Sequence, residues 1–593
     1  MKRRIFRSLS VGVLSVTMGL LCGCKKTETS TAKDTISVMI EEGANYAVPT
    51  PVQEITRGSD VTFEVMLLNG CSLTGVSYSE SKIEEHPGYS LLTLMSVLYP
   101  TVVSLTASVR EFVTYDANGG QAKDSDGKTA VSLAKSTSHL RANSALGNSL
   151  FKRDGYLQDG WNTKADGSGE AILQGSRMPN GISTLYAHWV KETDSSCFEY
   201  EILSDNTARI NSLKTPTDPL VIPHTLAGHT VSSLGSGSLA HQTLSDLYLP
   251  ETLERIENGA FQSCTIKTLT LFDNLAYLDD ASFVSSPVTM LRIQAYTKPC
   301  YSGTYFDAFQ DKLDYLDSIK DQKKIVLFSG SSARYGYYSP QLAKDYPSYK
   351  VVNMGVFAYF PALVQLDIIR TYLLPGDVVI DSPEFDAYDN QFCYNHAFED
   401  RLFAMMESGY QVLTLVDLTR YTEVFSSFYR YISNKKTLPV SSYQVSAKHF
   451  DDDMNTYNLD TYNAEGDFIL PRNGTQTEGR IFQPYLDLTL DSYQDTHLTA
   501  LNQAAKEFTD QGISFYFTFS PRNKDSLTEN STSDKRALLE SHLREILTMP
   551  ILCTLEDLLL PAGDFYLIDN HLTTAGASWR TDYVSKALKA YLA

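Results

Sequence analysis

Three short stretches of this chain hold residue types that can do chemistry together. Gly330-Ser331-Ser332-Ala333-Arg334-Tyr335-Gly336 follows the apolar run KIVLFS. A glycine ahead of serine at a strand-to-helix turn lets a hydroxyl stand at the start of a helix, where backbone N–H groups can stabilise an oxyanion. Asn353-Met354-Gly355 follows a second apolar run. Near the C-terminus, Asp569-Asn570-His571-Leu572-Thr573-Thr574-Ala575-Gly576 precedes a last helical stretch that runs to Ala593. In an extended segment, Asp and His two apart can set the carboxylate against the imidazole and fix the tautomer that a general base needs. A serine, a base, an acid and backbone donors are the parts required for acyl transfer.

These stretches need a scaffold that brings their ends together. From about residue 322 short apolar runs alternate with helical periodicity: KIVLFSG, residues 339–345, KVVNMG, residues 362–373, GDVVIDS, a long helix near residues 398–407, then YQVLTLV and ISFYFTFS. A βαβαβα order predicts an α/β fold with a mainly parallel sheet. The active edge of such a sheet lies at the carboxyl ends of its strands. A Tyr-, Asn- and Asp-rich segment at about 431–491 lacks helical periodicity. It reads as an insertion flanking the site, either a lid or a surface loop.

In this order, the three stretches resemble the SGNH (GDSL-type) hydrolase family, over the region 322–593. The resemblance implies a flavodoxin-like three-layer domain and a Ser-His-Asp triad. It makes Ser332 the nucleophile, His571 the base and Asp569 the orienting acid, with the N–H groups of Ser332 and Gly355 as oxyanion donors. The chain departs from the family in two places. Ser331 stands where Gly-Asp-Ser has its Asp, as in DltD-like and alginate-acetylation relatives. After the third strand, Asp381-Ser382-Pro383-Glu384-Phe385-Asp386 lacks the Asn that the family's third block gives to the oxyanion hole. An ionised Glu384 there would repel a developing oxyanion unless protonated or paired, and a lost donor costs on the order of a hundredfold in rate. Arg522, after ISFYFTFS, is a candidate source of compensating charge, so Glu384 and Arg522 are candidate substrate-binding residues. Asp495-Thr496-His497-Leu498-Thr499 mimics the base segment, but His571 is preferred for the glycine and terminal helix that follow it. Asp451-Asp452-Asp453 lacks calcium-loop spacing,. No metal and no cofactor are expected.

Upstream, the chain is β-rich and repetitive. Residues 36–110 alternate polar and apolar, as in DVTFEVMLL, and suit a small β domain,. The hydropathic stretch 91–109 contains Pro100 and ends in alternation, so it reads as strand rather than membrane span,. Residues 111–190 include FVTYDANGG, FKRDGYLQDGWNTKADGSG and LYAHWV. Their Asn-Gly and Asp-Gly pairs suit tight hairpins, and Tyr115, Phe151, Tyr156, Trp161, Tyr186 and Trp189 supply an aromatic core. The string resembles the internalin-type B repeat, a ubiquitin-like module. Residues 197–295 repeat with a period of 22: Leu247, Leu269 and Leu291; Leu249, Leu271 and Ile293; Leu234, Ile256 and Leu278; Leu239, Phe261 and Phe283. Such a period is the signature of a solenoid whose coils stack. LYLPETLERIENGAFQSC resembles the BspA-like leucine-rich repeat, with Cys264 in a core slot.

The N-terminus carries Lys2, Arg3, Arg4 and Arg7 and then a short apolar run, a secretory signal over residues 1–23,. The run closes on Leu21-Cys22-Gly23-Cys24, which resembles a lipobox. It implies acylation of Cys24, a polar tether at 24–35 and a membrane-bound chain at the outer face of the cell,. A net charge of −20 argues against nucleic acid as partner,. Of eight cysteines, Cys71, Cys197, Cys264, Cys300, Cys393 and Cys553 remain after processing, with no paired spacing that would mark zinc or a dense disulfide framework,. Two functions fit. One is a tethered serine esterase or acyltransferase acting on O-acylated envelope or extracellular glycans. The other is a surface adhesion or scaffold protein, whose repeats bind a host or cell-surface ligand and whose hydrolase fold is degenerate.

Overall fold

The computed structural model describes residues 35–592 except 68–70, 87–88, 110–111, 124–126, 135–149, 177–181, 298–299, 302–307, 357–359, 389, 393–400, 408, 422–423, 438–461, 470–471, 473–480 and 495–496. Cys24 with its signal and tether, the Asp451–Asp453 run, Cys393 and Asp495 lie outside the described residues. None of the described helices is long and apolar enough to cross a membrane. The stretch 91–109 is strand, at Tyr89–Leu94, Thr101–Val103 and Leu105–Val109.

Alternation builds the first module. Val61, Phe63 and Val65 on one strand are buried while the residues between them are exposed, because successive side chains on a strand point to opposite faces,. In the second module, Tyr115, Phe151 and Trp161 are buried and meet edge-on at 5.0 and 5.9 Å. They lie under a five-stranded sheet. Tyr156 and Tyr186 are only half-buried.

The 22-residue period is read out directly in the solenoid. Leu247 pairs with Leu269 and Leu269 with Leu291 in one parallel sheet; Leu234 pairs with Ile256 and Ile256 with Leu278 in another. All six are buried, so each coil covers the apolar face of the next,. The fourth series ends on a partner from outside the repeat. Phe261 stacks on Phe283 at 4.7 Å, and Phe283 stacks on Phe425 of the C-terminal region at 3.9 Å. A solenoid needs its last apolar face covered, and here the C-terminal region covers it. A buried polar network holds the seam: Lys435 Nζ lies 3.0 Å from Asp273 Oδ2 and 2.8 Å from Glu407 Oε1, and the Tyr410 hydroxyl donates to Asp273 at 3.1 Å.

The C-terminal region combines helices with a four-stranded parallel sheet. Helix α1 (Ala308–Ser318) leads into β1 (Lys324–Phe328), α2 (Ser331–Gly336), β2 (Lys350–Asn353), α3 (Ala362–Arg370) and β3 (Val378–Asp381). Then come α4 (Val424–Lys435), α5 (Leu498–Asp510), β4 (Ser514–Phe517) and the last helix, α6 (Thr574–Leu588). Strand order is β2-β1-β3-β4, and a parallel bridge from Phe517 to Ile551 extends it. The four β1 residues Ile325–Phe328 and most of the sheet are buried on both faces, as a sheet covered by helices requires,. The chain leaves β1 for neighbours on opposite sides, which makes its carboxyl end a topological switch point,.

Two expectations change. YQVLTLV is not a strand: Tyr410–Leu415 is a 3-10 helix, with Tyr410, Val412 and Leu413 buried at the seam with the solenoid, where tertiary packing overrides its β-forming composition,. The insertion also starts later than residue 431, because Tyr431 is a buried residue inside α4.

A second seam joins the second module to the solenoid. His224 lies between Glu192 and Glu251, its Nε2 2.8 Å from Glu251. Burial pulls the imidazole pKa down, but the two glutamates outweigh it and push it up to about 9. A group with a raised native pKa stabilises fully below its unfolded value, near 6.5, and loses that contribution as pH rises through the native one. The melting temperature is therefore expected to fall between about pH 6.5 and pH 9,. Differential scanning calorimetry should show that part of the fall missing in His224→Gln.

Candidate active site

The carboxyl ends of all four strands converge beside α2. The ladder continues past the strand ends: Ser382 N–H donates to Phe328 O at 3.0 Å, Thr518 N–H to Asp381 O at 2.8 Å and Met354 N–H to Leu327 O at 2.8 Å. This continuation holds Ser331 after β1, Gly355 after β2, Glu384 after β3 and Ser520 after β4 around one point.

The hydroxyl on the base is that of Ser331, not Ser332. Ser331 is the first residue of α2, and its Oγ lies 2.7 Å from His571 Nε2. Adjacent helical residues point about 100° apart, so only one of the two serines can face the imidazole. Ser332 turns into the core. It is fully buried, with its Oγ 2.8 Å from Ser520 Oγ, its carbonyl accepting from Arg580 Nη1 at 2.9 Å and its N–H donating to Glu384 Oε1. The missed signal was the end of the strand: β1 stops at Phe328, which leaves only Ser329 and Gly330 to make the turn before the helix.

Asp569 does not reach the imidazole. The chain around it is a tight turn rather than the extended segment expected, with Ile568 N–H donating to Tyr566 O at 2.8 Å and His571 N–H to Ile568 O at 3.3 Å. This turns the Asp569 carboxylate away. Its Oδ1 accepts from Asn523 Nδ2 at 2.9 Å and its Oδ2 from the N–H groups of Phe482 and Gln483, both at 3.0 Å. His571 Nδ1 is buried and has no hydrogen-bond partner among the described residues. The pair is thus a Ser-His dyad. For Nε2 to accept the Ser331 proton, the neutral ring must carry its own proton on Nδ1. Burial, and then the guanidiniums of Arg334 and Arg472, hold the His571 pKa well below its ordinary value. The ring is therefore neutral at physiological pH, with Nε2 free of a proton and able to accept one.

The surroundings are rich in buried charge. The Tyr335 ring lies 4.2 Å from the His571 ring, and the Arg334 and Arg472 guanidiniums lie 4.7 and 5.6 Å from the same Tyr335 ring. Arg472 comes from the insertion. It donates to Leu572 O at 2.9 Å, Phe468 O at 2.6 Å and Tyr335 O at 3.0 Å, and burial lowers its pKa to about 10. Asp467, also in the insertion, accepts from Ser339 N–H at 2.6 Å and Asn353 Nδ2 at 3.0 Å. The described part of the insertion therefore packs into the site. Neither residue stood out in the sequence, because the partners that tie them to the site, Leu572, Tyr335, Ser339 and Asn353, lie about a hundred positions away or more.

The remaining expected residues divide. Gly355 is where close approach demands glycine: a Cβ there would come within 2.4 Å of Arg334 N and 2.7 Å of Ala333 Cβ. Its N–H, however, is spent on Asn353 Oδ1 at 2.9 Å, and its carbonyl accepts from buried Lys312. Arg522 does not face the dyad partners; its guanidinium donates to Ser526 Oγ at 2.8 Å, Gln483 Oε1 at 2.6 Å and Pro484 O at 3.3 Å, holding the insertion. His497 precedes α5, while His571 occupies the position on Ser331. Glu384 is buried, with its Oε1 3.3 Å from Ser331 Oγ. Among the described residues no cluster of three or more His, Cys, Asp or Glu could hold a metal ion. The described cysteines, Cys71, Cys197, Cys264, Cys300 and Cys553, form no disulfide, and Cys264 Sγ lies 3.0 Å from Leu239 O in the solenoid core.

Comparison with known families assigns two of the upstream modules. Residues 112–188 match the Listeria-Bacteroides repeat domain, and residues 227–315 match the BspA type leucine-rich repeat region in six copies. The second match begins later and ends later than the 197–295 expected from periodicity. BspA-type repeats are typical of bacterial surface proteins. No curated protein matches the chain. Both family matches end before β1, so the chemistry of the C-terminal region rests on its own geometry.

The lowered His571 pKa has a kinetic consequence. A group whose native pKa lies well below 6.5 stays deprotonated through mildly acidic pH,. The rate at which a fluorophosphonate labels the dyad is expected to hold level from pH 7.5 to 5.5. An ordinary imidazole would lose roughly tenfold of its basic form at one unit below its pKa.

Proposed function

We propose that this protein is a cell-surface lipoprotein whose C-terminal domain is a serine acyl-ester hydrolase or acyltransferase of SGNH type, with Ser331 as nucleophile and His571 as base. The observation that carries this reading is the 2.7 Å contact between Ser331 Oγ and His571 Nε2 at the carboxyl end of β1. The strand order β2-β1-β3-β4 supports a flavodoxin-like sheet, whose switch point lies there,. The lipobox-like Leu21-Cys22-Gly23-Cys24 supports anchoring through Cys24 at the outer face of the membrane,.

In the proposed reaction the Ser331 oxygen attacks an ester carbonyl and its proton passes to His571 Nε2. Collapse of the tetrahedral intermediate breaks the bond to the alcohol, which leaves with that proton. Water, or a sugar hydroxyl, then attacks the acyl-serine and gives its proton to the same nitrogen; collapse breaks the bond to Ser331 Oγ, which takes that proton back, and the acyl group leaves on the acceptor. A Ser-His pair without an orienting acid loses part of the rate of a full triad, yet retains general-base catalysis. O-acyl groups on envelope or extracellular glycans are the substrates within reach of an anchored protein. The chain's net charge of −20 favours neutral, O-acetylated polymers over anionic ones,.

A second reading is favoured by one specific observation. Asp569 is committed to Asn523 and the insertion, and the Gly355 N–H to Asn353, as in a fold that has given up turnover. The protein then acts as an adhesin or scaffold, with its Listeria-Bacteroides and BspA-type repeats binding a surface or host ligand.

Labelling of the full chain with a fluorophosphonate separates the two. The enzyme reading expects wild-type labelling, a loss of roughly a thousandfold or more in Ser331→Ala and His571→Ala, and labelling retained in Ser332→Ala and His497→Ala. Absence of wild-type labelling supports the adhesin; retention in Ser331→Ala with loss in Ser332→Ala returns the nucleophile to Ser332.

A further inference from the structure

A cleft lined by neither Ser331 nor His571 lies between the second module and the solenoid. Its volume is about 430 Å³, within the range of roughly 300–1,000 Å³ typical of small-ligand sites. One wall is sheet. In the antiparallel pair Tyr156–Asn162 and Thr184–Lys191, Gln158 stands directly opposite Trp189, and Tyr156 lies two residues earlier on the same face,. The other wall is solenoid. His224 and Glu251 follow the parallel-paired strands Leu220–Val221 and Thr243–Tyr248, and Thr252 comes next. The walls are clamped together. Asp159, beside Gln158, accepts from Arg292 Nη1 and Gln294 Nε2, both at 3.0 Å, while His224 bridges Glu192 and Glu251 and Lys123 Nζ lies 3.4 Å from Glu251. The cleft is therefore preformed, and a ligand entering it orders little. Two polar atoms of the lining await a partner. Gln158 is 5 % exposed, and its Oε1 has no hydrogen-bond partner among the described residues; Thr252 Oγ1 is likewise buried and unpartnered. Native structures seldom leave buried polar atoms so.

We propose that this cleft is a binding site for a neutral saccharide. Its lining mixes donors and acceptors around aromatic rings. Lys152 and Arg153 donate, and Asp154, Glu192, Glu251 and Gln158 Oε1 accept. A sugar hydroxyl does both, so it can join one kind of group to the other. The half-buried Trp189 supplies an apolar face for the C–H face of a sugar ring, and its own N–H is already spent on Ala117 O at 2.8 Å, which fixes the indole,. The Arg153 guanidinium lies 3.9 Å from the Tyr156 ring and holds it in the same way,. Charge sets the class of sugar. Lys123, Lys152, Arg153 and His224 stand against Asp154, Glu192 and Glu251, so the cleft nearly balances and favours neither a polyanion nor a polycation,. The bound hydroxyls give Gln158 Oε1 and Thr252 Oγ1 the partners they lack. The site gives the repeat modules a ligand under either reading of the C-terminal region and does not depend on catalysis at Ser331.

The test screens the full chain on an array of neutral, sialylated and sulfated glycans and of unmodified peptides. Binding to neutral glycans is expected. Their affinity should hold level as salt rises from about 0.1 M to about 1 M, where the screening length shrinks from about 10 Å to about 3 Å. Titration with a neutral glycan that binds is expected to change the tryptophan fluorescence. Of the three tryptophans, Trp161 is fully buried and Trp189 is the one that lines the cleft, so Trp189→Phe should remove the change. Thr252→Val deletes an oxygen that has no partner in the free chain, and Lys152→Ala alters an exposed side chain. Each is expected to weaken binding about tenfold with the melting temperature unchanged. Absence of neutral-glycan binding overturns the proposal, as does binding confined to sialylated or sulfated glycans or to peptides. Neutral-glycan binding that all three variants leave intact overturns it too, because the ligand then sits elsewhere. The readout is independent of fluorophosphonate labelling, so failure of the cleft and failure of the dyad are told apart.

Discussion

The arrangement of Ser331 on His571 depends on one geometric constraint: a two-residue turn between the end of β1 and the start of α2. Ser329 and Gly330 are all that separates the last strand residue, Phe328, from the first helical residue, Ser331. The turn therefore delivers the Ser331 hydroxyl to His571 and the Ser332 side chain to the core. Ser332 then serves as a knot. Its hydroxyl, carbonyl and N–H tie α2 to the loops after β4 and β3 and to α6. The two serines are not interchangeable, since each is held by a different set of partners.

The electrostatics around this turn are unlike those of the chain as a whole. The protein is strongly acidic, yet Arg334, Arg472, Arg580 and Lys312 are all buried near the dyad. Each is held by backbone carbonyls or aromatic rings. Burial, and then the nearby Arg334 and Arg472, keep the imidazole neutral and make an imidazolium costly. The insertion is part of this arrangement: Arg472 braces the segment of His571 while Phe482 and Gln483 hold Asp569 away from it.

How far all this can be read from sequence varies with the range of the interaction. The solenoid was legible because Leu247, Leu269 and Leu291 must repeat wherever coils stack, and the structure pairs them in register. The parallel strands were legible because runs such as IVLF have to be buried on both faces,. The place of His571 ahead of a last helix was legible because Gly576 and a terminal apolar pattern follow it. Three features were not. Which serine faces His571 depends on where a helix begins, and boundaries are the weakest part of pattern reading. The aim of Asp569 depends on a turn and on partners 46 and 86 or more residues away. Tyr410–Leu415 is apolar enough for a strand, but becomes a 3-10 helix because it packs at the solenoid seam.

The same seam makes the repeats and the α/β region one body, since their buried residues form a single hydrophobic cluster. The central claim, that the reactive hydroxyl belongs to Ser331, is tested most directly by tandem mass spectrometry of the fluorophosphonate-treated full chain. The account predicts a single adduct whose fragment ions place the added mass on Ser331. An adduct on Ser332, or on a serine remote from His571, would contradict it.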